Sequence, residues 1–101
     1  MHKATESITL TLSSDVPFEN AQDTLQLAVM AAQSLHGAER VELEAPALLD
    51  AVSNSVTIGS DTDVGRTLAT IFLGYIRREY GASAARVNRS SNLGQTMGAN
   101  V

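Results

Sequence analysis

From Ser7 to Ser13 apolar and hydroxyl-bearing residues alternate, with Ile8, Leu10 and Leu12 on one side. A period of two predicts a half-buried strand. The pattern then changes. Ser13-Ser14-Asp15 offers helix-capping side chains, and Pro17 suits a first helical turn, where its missing N–H would lack a partner anyway. Between Phe18 and Leu35, residues Phe18, Ala21, Leu25, Ala28, Val29, Ala32 and Leu35 fall on one helical stripe, and Gly37 provides the stop.

Alternation returns over Arg40 to Ala45, with Val41, Leu43 and Ala45 on one side and Arg40, Glu42 and Glu44 on the other. This predicts a second strand, followed by one or two helical turns over Pro46 to Val52. Ser55 to Gly59, carrying Val56 and Ile58, is predicted as a third strand. Asp61 to Tyr80 reads as a second long helix, closed by Gly81, and Ala84 to Arg89 as a last strand around Val87. From Ser90 the chain is polar and glycine-bearing with little to bury, so 90–101 is predicted to be a disordered tail to a single domain over 1–89.

The predicted order is β-α-β-β-α-β. Alternating strands imply a sheet with one wet face, and nine residues between the second and third strands are too few for a parallel crossover. The expected class is α+β, a two-layer sandwich of the ferredoxin-like kind with a mostly antiparallel sheet and both helices on one face. A mixed sheet is the alternative if Pro46 to Val52 is a true helix.

Composition narrows the chemistry. The 101 residues are 44% hydrophobic and 18% charged, enough apolar material for one folded domain. The absence of cysteine removes disulfides, thiolate-bound metals and cysteine nucleophiles. No segment approaches the roughly 20 apolar residues of a membrane span, and the first fourteen residues lack the apolar region of a signal peptide. A cytoplasmic protein is expected, and arginine used in place of lysine points to a bacterial or phage source.

The turn Gly59-Ser60-Asp61-Thr62-Asp63-Val64-Gly65-Arg66 lies between strand and helix, as a phosphate-binding loop would. Its glycine spacing is wrong, an arginine stands for the lysine, and two aspartates would repel phosphate. The sequence predicts helix capping instead, Ser60 as the cap and Asp63 reaching back to it. Two carboxylates without a third ligand make a poor cation cage, so no metal or cofactor is assigned. His2 stands near the terminus and His36 in a last helical turn, where a cation meets the negative end of the helix dipole. No serine has the surroundings of an activated nucleophile. Glu42 and Glu44 read as a solvated surface. Families that share the expected arrangement are excluded by their motifs. The cysteine pair of copper chaperones is absent, the sheet lacks the aromatics of RNA-recognition domains, and the loop after the first strand lacks the arginine of acylphosphatases.

Surface patterning says more. Val64, Leu68, Ile71 and Tyr75 centre a face of the second helix that Ala69, Phe72, Leu73, Ile76 and Tyr80 widen to about half the circumference, more than the stripe needed for packing on a sheet. Leu27 and Met30 lie opposite the core stripe of the first helix. The expected function is therefore a non-catalytic interaction or regulatory domain that dimerises or docks a protein, through Leu27, Met30, Arg66, Leu73, Arg77 and Tyr80. A ligand-binding domain or enzyme built on 59–66 is the alternative. Charge adds one more feature: residues 1–65 carry ten acids against Lys3 and Arg40, whereas residues 66–101 carry five arginines against Glu79. Nucleic-acid binding through Arg86 and Arg89 is a further alternative, weakened by the acidic whole (net −4) and the lack of interleaved aromatics.

Overall fold

The structure, a computed structural model, describes residues 6–91. His2 and the expected tail from residue 92 lie outside the described residues. The chain is α+β, with three α-helices and a four-stranded antiparallel sheet.

Strand β1 (Glu6–Leu12) forms where alternation predicts it, burying Ile8, Leu10 and Leu12 and leaving Ser7, Thr9 and Thr11 on the other face. Helix α1 (Phe18–His36) buries Ala21, Leu25, Ala28 and Ala32, and Pro17 stands at its N-cap. Gly37, at φ 93°, ends it. At that left-handed angle only glycine avoids a Cβ clash with the backbone. Leu35, assigned to the buried stripe from its spacing, is exposed near the end of this helix.

The next segment corrects the sequence reading. Residues predicted as the second strand form helix α2 (Ala38–Glu44). Val41 is buried, but Leu43, two residues on, turns outward and is 79% exposed. A six-residue alternation fits either period. The strong helix formers Ala38, Glu39, Arg40, Glu42, Leu43 and Glu44 decide it, as does the Arg40–Glu44 pair at i,i+4, with a salt-bridge distance of 3.0 Å. The predicted helical turns after it are instead strand β2 (Ala47–Asp50), hairpinned to β3 (Ser55–Gly59). The four-residue connection closes on Asp50, whose carboxylate accepts from the Val52 amide at 3.0 Å, and on Asn54, at φ 50°. Asparagine tolerates that left-handed angle better than most residues. Its Nδ2 donates to the carbonyls of Ser13 and Val16 at 3.2 and 3.0 Å, tying the hairpin tip to the loop before α1.

Helix α3 (Asp63–Tyr80) buries Val64, Leu68, Phe72 and Ile76, and a short 3-10 turn at Ala82–Ala84 leads into β4 (Ala85–Ser91). β4 reaches two residues beyond the predicted strand, into the segment assigned to the tail. The Ser90 hydroxyl lies 3.0 Å from that of Ser7.

The strands lie in the order β2-β3-β1-β4. β1 is central, with Leu10 opposite Val56 on one side and Val87 on the other. Inward residues of β1 and β3 meet α1 and α3 in one apolar core, in which Leu10, Val56, Ile58, Leu68, Phe72 and Ile76 are the main fully buried side chains. The outer sheet face is mostly polar apart from exposed Leu48, in register with Thr57, and the Thr9 and Thr57 hydroxyls meet across it at 3.0 Å.

Candidate functional site

The turn between β3 and α3 is held by groups that face inward. Thr62, not Ser60, is the N-cap: its hydroxyl accepts from the Gly65 amide at 3.0 Å and donates to the Glu44 carbonyl at 2.7 Å. Two orphan groups, one at the start of α3 and one at the end of α2, are thereby satisfied by one side chain. Ser60 is buried with its amide donating to the Glu6 carbonyl. Asp61 accepts from the Glu6 amide. Asp63, predicted to reach back to the cap, instead accepts from Arg40 at 3.3 Å. Arg66 closes the loop by donating to the Ser60 carbonyl at 2.9 Å. Gly65 is buried hard against the Gly59 carbonyl, where a glycine alone fits. The two aspartates thus point to different partners, and the backbone and side chains of this turn serve its own closure.

Arg40 grips Glu44 with two hydrogen bonds, 3.1 and 3.0 Å long. These bonds hold the Glu44 carboxyl below its ordinary value and, together with the carboxylate charge, raise the guanidinium of Arg40. His36 Nε2 lies 3.2 Å from the Thr67 hydroxyl, linking the end of α1 to α3.

The residues singled out for partner binding separate into two groups. Leu27 projects from α1 at 57% exposure and, with Tyr75 of α3 at 37%, flanks a cleft of about 390 Å³ between the two helices. Thr24, Arg78 and Glu79 complete its walls. Tyr80 borders an adjoining hollow with Asp23 and Glu79, and its hydroxyl accepts from Asn20 Nδ2 at 2.8 Å. Met30 is exposed on α1 outside both hollows. Along the same groove, toward the start of α3, Leu35 and Ile71 line a third hollow with Thr67 and Thr70.

Leu73 and Arg77 lie on the opposite flank of α3, at 100° per residue from Tyr75, and Arg66, on the same side, also borders the third hollow together with Asp63. Leu73 is half-buried and packs against the core. Arg77 donates to the Ala85 carbonyl at 3.4 Å, so this flank faces β4. Tyr75 and Arg78 are not among the residues that the sequence marks for a partner. The width of the apolar face on α3 was visible, but which side of it met α1 depended on the packing.

No protein-family model matches the chain, and neither the curated proteins nor the solved structures contain a significant match. Among the described residues, no helix is long and apolar enough to cross a membrane.

Proposed function

We propose that the chain is a small, cytoplasmic, non-catalytic protein-interaction domain that pairs with a second copy of itself through the outer face of its helix layer. The observation that carries this reading is the placement of Leu27 and Tyr75, both substantially exposed, on the two sides of one cleft. Tyrosine and arginine are enriched at the centres of binding surfaces, and Tyr75 and Arg78 both line this cleft. The rim holds both signs of charge, Arg78 with Glu79 and the neighbouring Asp23. A two-fold axis over the cleft lets the basic rim of one copy meet the acidic rim of the other, as an isologous interface requires. We also read the architecture as a ferredoxin-like plait with α2 as an added helix. The support is two interleaved units, β1 and β2 running parallel on either side of β3, and β3 and β4 running parallel on either side of β1.

Gel filtration with light scattering tests the pairing. A dimer at high micromolar concentration, converted to a monomer by Leu27→Glu with an unchanged far-ultraviolet spectrum, is the expected result. A monomer at every concentration refutes it. Leu27 is the better probe than Leu73, because a charge at half-buried Leu73 would disturb the core as well.

A further inference from the structure

β4 is an edge strand of the described sheet, and arginines that form no ion pair among the described residues stand near it. β1 is its one neighbour among the described residues. The Ser13 amide donates to the Ala84 carbonyl at 2.8 Å, which fixes the direction of the ladder. Backbone groups of successive strand residues point to opposite sides, so Ala85, Val87 and Arg89 direct their amides and carbonyls away from β1. The Ala85 carbonyl already accepts from Arg77, so the open groups are the Ala85 amide and the amides and carbonyls of Val87 and Arg89, spread over about 13 Å at roughly 3.3 Å per residue. Natural edges are blunted by bulges, prolines or brevity. The opposite edge, β2, is only four residues long and follows Pro46. β4 is seven residues long and has no proline. The helix layer also stops short of it: Val87 sits opposite buried Leu10 yet is 38% exposed.

Positive charge predominates around this edge, with Glu6 the one carboxylate lining the hollow that holds Arg89. Arg86 projects on the outer face of the sheet, in register with Thr11, and Arg89 on the helix side, in register with Ile8. Arg77 reaches the Ala85 carbonyl from α3, and Arg66 reaches the Ser60 carbonyl beside the hollow that Arg89 lines. Both ion pairs among the described residues belong to Arg40. Every Asp and Glu side chain of the whole sequence lies between Glu6 and Glu79. The segments outside the described residues therefore hold no carboxylate side chain that could neutralise the four arginines.

We propose that this edge binds an extended acidic peptide segment as a fifth, antiparallel or parallel strand. Main-chain hydrogen bonds to Val87 and Arg89 supply affinity, and carboxylates on alternate faces meet Arg86 and Arg89. A second copy is a poorer occupant, because joining two such edges would bring eight arginines together. The site is independent of the helix-layer cleft.

The test uses the full chain and a fluorescein-labelled eight-residue peptide of two glutamates followed by two valines, repeated, which places carboxylates on both faces of a strand, read by anisotropy. The acidic peptide binds, and the same peptide with lysine for glutamate does not. Arg86→Ala combined with Arg89→Ala weakens binding at least tenfold. Val87→Pro does the same while the fold persists, since it removes an amide that faces away from β1. Leu27→Glu leaves the affinity unchanged whether or not the chain dimerises. As a readout without substitution, the acidic peptide slows hydrogen exchange at the Val87 and Arg89 amides. Equal binding of the lysine peptide, or no slowing of exchange at these two amides, overturns the proposal. Tighter binding of a single-stranded oligonucleotide that survives Val87→Pro also overturns it, in favour of contact by the arginine side chains alone.

Discussion

Two glycines in α3 carry opposite predictions for one substitution. A Cβ built on Gly65 would stand 1.9 Å from the Gly59 carbonyl oxygen and 3.0 Å from its carbon. Reaching even 3.0 Å from that oxygen requires helix and strand to part by about 1.1 Å, and both atoms belong to the backbone. Overpacking of this kind costs about 1–3 kcal/mol or more, against a gain of about 0.5–1 kcal/mol from replacing a helical glycine by alanine. Gly65→Ala therefore loses about 1–2 kcal/mol, a fall in Tm of roughly 5–15 °C for a domain of this size. Gly74 sits in the same helix, exposed, with nothing within 4 Å of the added carbon. There the helical gain stands alone, and Gly74→Ala stabilises by up to about 1 kcal/mol. Urea unfolding followed by circular dichroism reads both, as midpoint shifts of opposite sign at constant slope. A Gly65→Ala variant within 0.5 kcal/mol of the parent, or a Gly74→Ala variant destabilised like it, would refute the steric reasoning.

Thr62→Ala removes the N-cap of α3 and the bond to the Glu44 carbonyl together. A loss of about 1–2 kcal/mol in urea unfolding is expected, and Thr62→Ser recovers most of it. The Glu44 carboxyl is held below its ordinary value of 4.5 by Arg40. A group depressed in the folded state adds stability that is present above its unfolded pKa and is lost as pH falls through the folded one. The pair's contribution to stability is thus fully present and independent of pH near neutrality, and it declines below about pH 4.5. Glu44→Gln flattens that part of the profile in acid unfolding followed by circular dichroism, whereas an identical profile for the variant would count against the pair.

The long periodic elements were legible in the chain. Seven residues of alternation gave β1 its register, and two long helical stripes gave most of the buried faces of α1 and α3, although Leu35 of α1 and Tyr75, expected at the centre of the face on α3, are exposed. Residues 38–50 were not legible, because a six-residue alternation with Val41 and Leu43 fits a strand as well as a two-turn helix. Leu48 and Leu49, which face opposite sides of β2, resemble a helical fragment until β3 pairs with them. The cap at Thr62 was hidden for another reason. Ser60 is an equally good cap by type, and its burial against the Glu6 carbonyl is a long-range event. The same holds for the interaction surfaces. A basic C-terminal part can be counted from the residues, but that β4 lies at an edge follows only from the strand order.

The central place of β1 also bears on how the chain folds. Its pairings with β4, such as Leu12 with Ala85, join residues 73 positions apart, and its pairings with β3 span more than forty. Closing such distant contacts costs loop entropy before they are rewarded, which slows folding relative to a helical bundle of similar size. Until residues 85–91 arrive, Ile8, Leu10 and Leu12 belong to a strand with one side open. The hairpin of β2 and β3 and the helices can organise locally, but the sheet waits for its last strand. Shortening the chain ahead of Ser91 would therefore leave β1 as a new edge in the middle of the core, and aggregation rather than partial folding is the outcome that such an edge invites.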